Sequence, residues 1–218
     1  MWSDMIGWLE NNPGAFEQAA TQHLVLSATA LAAAIVLALP LALALTHWTK
    51  AANPTIAFVN VLRTIPSLAL LVVALPLLGT GFLPSVIALT LYGLPAILIN
   101  THTALTHVDP DIVEAGLGQG MTDGQVMRRI KIPLSLPVVF AGVRTGAVQI
   151  VSAATLAAFI GGGGLGELIT AGMGTLNIPE LVLGGLAVAI LAVATELAFA
   201  CIEWGVRRGI AAGATGAA

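Results

Sequence analysis

The segment DIVEAGLGQGMTDGQVMRRIKIP, residues 111–133, is the one dense cluster of charge in a chain that otherwise avoids charge. Seven of the nineteen Asp, Glu, Lys and Arg residues of the 218-residue chain lie between Asp109 and Lys131. Charge concentrated in this way indicates a segment in water, flanked by segments that are not. We call residues 107–133 the elbow.

The composition places most of the chain in lipid. Charged residues make up 9% of the sequence, against about 25% in a soluble domain, and hydrophobic residues reach 57%. The sequence therefore predicts an all-α integral membrane protein. The net charge of −3 comes without a basic stripe, so membrane lipid, and not nucleic acid, is the expected partner. The one cysteine and the four histidines show no ligand spacing, so no metal site is expected.

Five apolar stretches are long enough to span a bilayer, which takes about 20 residues. They predict a transmembrane domain over residues 22–206, which includes the elbow, followed by a short tail over residues 207–218. The predicted spans are Leu24–Leu45, Ile56–Leu78, Phe82–Thr101, Leu134–Ile160 and Leu181–Trp204.

Residues 1–21 are predicted to form an outer interfacial segment. Four apolar residues near its start follow the i, i+3, i+4, i+7 spacing of a short helix lying in the membrane surface. These residues are Trp2, Met5, Ile6 and Leu9.

Lysine and arginine outside the spans fall on one side of the predicted membrane. Residues 1–23, 79–81 and 161–180, which make up the other side, contain none. Because positive residues favour the cytoplasmic side, the elbow and the C-terminus are predicted to be cytoplasmic and the N-terminus to lie outside. The cationic residues on the cytoplasmic side are Lys50, Arg128, Arg129, Lys131, Arg207 and Arg208.

The elbow contains the start and stop residues of two helices. Asp109 is placed to cap a helix that begins at Pro110, and Gly120 is placed to end it in a left-handed conformation. Thr122 and Gln125 have the spacing of a capping box for a second helix. The elbow is thus predicted to be an ordered helix–turn–helix, where a charge run alone would indicate a solvated loop.

The same residues carry a resemblance to a known family. The order Glu114-Ala115-Gly116, three residues, Gly120, nine residues, then residues 130–133 (IKIP) resembles the EAA loop of ABC importer permeases. The sequence departs from that pattern at Gly116, which replaces an alanine, and at Ile132, which replaces a leucine.

This resemblance implies the type I permease fold in a bacterial inner membrane. It implies that the elbow docks into a cleft on an ATPase, that two such ATPases bind ATP and Mg²⁺, and that this chain binds no cofactor and is not an enzyme. The other implied partners are a second permease and an external substrate-binding protein. The residues implied in ATPase coupling are Glu114, Ala115, Gly116, Gly118, Gly120, Arg128, Arg129, Ile130 and Pro133.

Three apolar strings are similar to the osmoprotectant branch of that family: RTIPSLALL (63–71), YGLPAILINT (92–101) and AATLAAFIGGGGLGELI (153–169). The implied cargo is glycine betaine, choline, carnitine or a related quaternary ammonium compound. With Tyr92 the only tyrosine, no aromatic cage for such a cation is visible. Two alternatives stay open: an ABC permease for another small polar solute such as an amino acid, and an ion-coupled secondary transporter.

Gly161, Gly162, Gly163 and Gly164 follow the fourth predicted span. GGGGLG matches the dinucleotide fingerprint in letters, but that motif requires a preceding strand and a following helix, so a nucleotide site is rejected. A hinge at the outer mouth of a pathway and a flexible linker both remain possible interpretations.

Three charged residues fall inside predicted spans: Arg63, Arg144 and Glu196. Each costs about 2.5–3.5 kcal/mol when it faces lipid, so all three are expected to face protein or water. Arg63 and Glu196 each lie about eight residues from a cytoplasmic span end, roughly 12 Å deep. We predict that these two residues pair, either as a structural clamp or along a pathway.

Overall fold

The computed structural model describes the backbone of residues 1–215 and the side chains of residues 1–208, and within these ranges the chain is helical with short turns. The helices of the described backbone are α1 (Trp2–Asn11), α2 (Pro13–His47), α3 (Thr49–Leu62), α4 (Ser67–Leu78), α5 (Phe82–Thr106), α6 (Pro110–Gly118), α7 (Asp123–Val126), α8 (Ile132–Ala154), α9 (Gly166–Thr175) and α10 (Ile178–Thr215). A π-helical turn, Met127–Lys131, precedes α8, and a 3-10 turn, Thr155–Ile160, follows it.

The core lies where α2, α5 and α8 meet. One face of α2 carries alanines at four-residue intervals, and all of them are fully buried. Small side chains allow helices in a membrane to approach closely, because the helices associate by packing and hydrogen bonds. One such bond joins Thr90 of α5, which donates through Oγ1 to the carbonyl oxygen of Ala30 at 3.3 Å. The alanines are Ala30, Ala34, Ala38 and Ala42.

Glycines set the spacing between α5 and α8. A Cβ added to Gly146 would lie 2.9 Å from Ile97 and 3.2 Å from the carbonyl oxygen of Gly93. A Cβ added to Gly142 would lie 2.6 Å from the Cβ of Asn100. Since real Cβ atoms do not approach this closely, any larger residue would push the two helices apart. At these positions side chains of one helix pack directly against the backbone of the other.

The second predicted span, Ile56–Leu78, is wrong as a single straight helix. The chain forms α3 and α4, which are bent by 96° at a break over residues 63–66. Proline lacks an N–H and disfavours helical geometry in the residue before it, so Pro66 accounts for the end of the helical run. Thr64 Oγ1 donates to the carbonyl oxygen of Val61 at 2.7 Å and occupies an acceptor that a continuing helix would use.

The other predicted spans are confirmed as long apolar helices. Within the described backbone, four helical stretches are long and apolar enough to cross a membrane, and the bent pair of α3 and α4 makes up to five. They extend beyond the predicted limits, as α2 does at both ends. The predicted tail starts inside α10, which continues to Thr215, and residues 216–218 lie outside the described residues.

Among the described residues, two short helices lie outside both the spans and the elbow. The predicted N-terminal helix is confirmed as α1, with Met5 buried while Trp2 and Ile6 are exposed. The second, α9, was not predicted, and it ends at Leu176, which has a positive φ of 55°.

Candidate functional site

The first half of the elbow is a capped helix. Asp109 accepts a hydrogen bond from the backbone N–H of Asp111, with 2.9 Å between the Oδ1 and N atoms, and Pro110 is the first residue of α6. An oxygen at this position satisfies an N–H that has no partner within the helix. The predicted start of this helix is confirmed.

A tight turn reverses the chain after α6. Gly120 has a φ of +84°, a left-handed conformation that costs a residue with a Cβ about 1–2 kcal/mol. The carbonyl oxygen of Gly116 accepts from the N–H of Met121 at 3.2 Å, which closes the turn. The predicted glycine terminator is therefore confirmed.

The second half of the elbow runs without interruption into the membrane. The predicted capping box is present: Thr122 N–H donates to Gln125 Oε1 at 2.9 Å, and Gln125 N–H donates to Thr122 Oγ1 at 3.4 Å. The helical stretch Asp123–Ile160 then continues through the π-helical turn into α8, with Pro133 in its first turn. The second half of the elbow and a candidate membrane span thus form one continuous helical stretch.

Gly116 is the contact that holds the two halves of the elbow together. It is buried, and a Cβ added there would lie 2.5 Å from Cδ1 of Ile130 and 3.7 Å from Val126. The departure from alanine in the EAA pattern therefore has a local cause, since Ile130 occupies the space of a methyl group.

One face of α6 stays exposed with mixed apolar and acidic character. Ile112 and Leu117 are each 44% exposed, and Glu114 and Ala115 beside them are exposed as well. Such a surface is suited to docking with another protein, because the apolar side chains have no cover within the described residues. Gly118, Arg128 and Arg129 are also exposed, and the two arginines give the second half of the elbow a positive surface.

The charges inside the spans pair differently from the prediction. Glu196 does not pair with Arg63: its Oε1 lies 3.3 Å from Nε of Arg144. Nη1 of Arg144 donates to Oε2 of Glu203 at 3.0 Å, and Nη2 of Arg207 donates to the other oxygen of Glu203 at 2.7 Å. Arg63 lies at the break after α3 with an exposed side chain. Arg144 of α8 is thus joined to α10 through both glutamates, and Arg207 lies on α10 itself.

Glu203 is a residue that the sequence interpretation missed. It is 7% exposed and, among the side chains that the structure describes, is the one acid in contact with both Arg144 and Arg207. It follows Glu196 by seven residues and precedes Arg207 by four, so all three lie on one face of a helix. That spacing can be seen in the sequence. The contact between Glu203 and Arg144, which is 59 residues away, cannot.

The glycine turn that precedes α9 is packed. The backbone of this turn, residues 161–164, has left-handed φ values of 73°, 79° and 93° at Gly161, Gly163 and Gly164. Gln22 of α2 accepts from the N–H of Gly164 at 3.2 Å, and a Cβ added to Gly164 would lie 3.0 Å from Nδ1 of His23. A Cβ on Gly162 would collide with Ser85 Oγ of α5. These close contacts do not fit the flexible-linker alternative. The hinge remains a prediction.

The sequence over residues 30–207 matches the family described as binding-protein-dependent transport system inner membrane component. The chain belongs to this family. Its fold is that of a type I ABC permease: it superimposes on a chain of the inward-facing MetNI methionine ABC transporter with a TM-score of 0.81, at 22% identity, over 90% of this chain and 98% of that chain.

The curated relatives of this permease are similar to it along nearly their whole length. It is 41% identical to the glycine betaine/carnitine/choline transport system permease protein OpuCB of Bacillus subtilis, over 92% of this chain and 93% of the relative. It is 44% identical to the carnitine transport permease protein OpuCB of Listeria monocytogenes over 84% of each chain. It is 39% identical to the osmoprotectant import permease protein OsmW of Salmonella typhimurium, over 88% of this chain and 92% of the relative.

Family membership also indicates which other proteins the permease works with. As an inner membrane component of an ABC transporter, the permease works with an ATPase and with a substrate-binding protein, and its relatives are transport proteins and not enzymes.

Proposed function

We propose that this permease forms the membrane passage of an ATP-driven importer for osmoprotectants, namely glycine betaine, choline, carnitine or related quaternary ammonium compounds. The observation that carries this proposal is its similarity, over more than four-fifths of the chain, to permeases named for these solutes in three different bacteria.

The elbow is the proposed contact with the ATPase. The exposed face of α6, with Ile112 and Leu117 at its sides and Glu114 between them in sequence, would enter a cleft of that subunit. Gly116 and Gly120 support this role, because the first fixes the packing of the two halves and the second fixes the reversal of the chain. ATP-dependent closure of the ATPases would then move the elbow as a rigid body.

The proposed assembly contains two ATPases, a second permease, identical or homologous, and an external binding protein. Four or five spans enclose little passage on their own, which supports the second permease. In this arrangement the elbow and the C-terminus are cytoplasmic, where the cationic residues concentrate, while the N-terminus and the glycine turn 161–164 face outward. The ATP and Mg²⁺ are bound by the ATPases.

Reconstitution into liposomes tests this function. The permease is co-purified with its ATPase and supplied with binding protein, and uptake of radiolabelled glycine betaine and choline is compared with that of methionine. Uptake of a quaternary ammonium solute that needs both ATP and the binding protein is the expected result. Uptake of methionine alone would favour the amino-acid alternative, and uptake abolished by an ionophore without ATP would favour a secondary transporter.

A further inference from the structure

A concavity with both apolar and polar side chains lies on the membrane-spanning surface, beside the break between α3 and α4. It has a volume of about 450 Å³, within the ~300–1,000 Å³ range of small-molecule sites. Five of its lining residues have polar side chains, and none of those five is charged. They are Ser67, Tyr92, Gln149, Ser152 and Thr155.

This concavity lies near the middle of the bilayer. The N–H of Gly81 donates to the carbonyl oxygen of Ile160 at 2.8 Å. This hydrogen bond places the start of α5 and the start of the glycine turn at the same depth in the membrane. Tyr92 lies eleven residues beyond Gly81, about 16 Å at 1.5 Å per residue. That is roughly half of the ~30 Å hydrocarbon core.

The polar groups of the concavity are not satisfied by the protein. Across the side chains that the structure describes, Ser67, Tyr92, Gln149 and Ser152 form no side-chain hydrogen bond, and Thr155 Oγ1 is buried without a partner. Polar groups without partners are unfavourable in hydrocarbon and mark passages for water or solute when they occur at this depth. These groups therefore need a partner other than lipid, and a passage for water or solute would supply one.

The glycine contact between α5 and α8 holds the two walls of the concavity in register. Gly93 follows Tyr92 directly, and Gly146 lies three residues before Gln149, so the closest approach of the two helices adjoins both side chains. A Cβ added to Gly93 would collide with Ile150, so the Ile150 side chain of α8 packs directly against the backbone of α5 beside Tyr92.

We propose that this concavity receives the quaternary ammonium group of the cargo during passage, with the Tyr92 ring as its cation–π partner. Gln149 and Ser152 hydrogen-bond the polar end of the cargo. This inference rests on the proposed function and names the site within it. A single ring without a carboxylate gives a weak grip, which suits a passage that must release its cargo. The selectivity for such cargo then lies with the binding protein.

The test uses the complete complex in liposomes with saturating binding protein. Tyr92→Leu is expected to lower glycine betaine uptake about two- to thirty-fold, the range of one cation–π contact. Tyr92→Phe, which keeps the ring, is expected to retain at least threefold more uptake than Tyr92→Leu. The control is Phe58→Leu, which removes a ring from an exposed position of α3 outside the concavity and is expected to leave uptake at the wild-type level.

ATP hydrolysis stimulated by the loaded binding protein is measured in the same vesicles. The proposal expects hydrolysis to continue in Tyr92→Leu while uptake falls. Equal uptake in Tyr92→Leu and the wild type would overturn the proposal. A parallel loss of uptake, hydrolysis and subunit assembly in both Tyr92 variants would also overturn it, because it would indicate that Tyr92 contacts the second permease. If the wild-type complex takes up no quaternary ammonium solute at all, the proposed function itself fails.

Discussion

Arg144 of α8 donates a hydrogen bond to Glu203 of α10, with 3.0 Å between Nη1 and Oε2. Glu203 is almost fully buried and also accepts from Arg207, whereas the Glu196 side chain is 45% exposed. Removing a buried acceptor leaves its donors unsatisfied, while an exposed acceptor is readily replaced by water. Glu203 and Glu196 of α10 are therefore expected to contribute unequally to the free energy of unfolding.

Glu203→Gln is expected to destabilise the permease by about 1–3 kcal/mol, the net contribution of hydrogen bonds to charged groups. The thermal unfolding midpoint in detergent should fall by about 2–4 °C per kcal/mol for a chain of this size. Glu196→Gln is expected to lower it less. An equal effect of the two substitutions would contradict the assignment of Glu203 as the central acceptor.

Arg144→Met is expected to lower the same midpoint, because both glutamates lose a cationic partner. Arg63→Met is the matched control, since Arg63 has an exposed side chain and forms no salt bridge among the described side chains. Its midpoint should stay close to that of the wild type. A larger loss in Arg63→Met would support the pairing that the sequence predicted.

Gly120→Val is expected to weaken the association with the ATPase. A β-branched residue at a φ of +84° is strained by about 1–3 kcal/mol, so the turn adopts another shape. Gly124→Val adds the same side chain at an open helical position two residues after the cap and serves as the control. Co-purification of the ATPase and ATP-dependent uptake are the measurements, with normal membrane insertion in both variants. Full co-purification with Gly120→Val would count against the docking role.

Gly116→Ala is expected to reduce uptake because its new methyl group displaces Ile130. Ile130→Val removes the Cδ1 atom that the methyl would meet, so the double variant should recover part of the loss. The uptake rates of the wild type, the two single variants and the double variant form a double-mutant cycle. Additive losses would show that the two residues do not interact in the assembled transporter.

Gly164→Ala is expected to destabilise the outer turn, since its φ is +93° and His23 leaves no space for a methyl group. The cost of the backbone conformation alone is about 1–2 kcal/mol. Gly185→Ala, in open space within α10, is the control and is expected to be neutral or slightly stabilising. Comparison of their thermal unfolding midpoints decides between a packed turn and a loose linker: equal midpoints would indicate a linker.

The local chemistry of the elbow could be predicted from the sequence because its hydrogen bonds join residues two or three positions apart. Asp109, Gly120 and the Thr122–Gln125 pair all act within one turn of the chain. The π-helical turn after them has no comparable sequence pattern and was not predicted.

Features that depend on distant contacts were predicted less well. Hydropathy averaged over twenty residues hides the break at residues 63–66, although Pro66 is present in the sequence. Similar depth in the membrane does not determine which face of a helix a charge occupies, so Arg63 and Glu196 were paired wrongly. The concavity contains residues from α4, α5, α8 and the 3-10 turn after α8, and it becomes visible only when these elements are placed together.

The helical stretch Asp123–Ile160 has one end in the elbow and the other at the glycine turn, and it passes closest to α5 at Gly146. The Ile97 side chain of α5 packs directly against the backbone of Gly146, so this contact is where the stretch would pivot. A rod that tilts about a fulcrum swings its two ends in opposite directions. Under the proposed function, opening at one membrane face would then be linked to closing at the other through this one helical stretch.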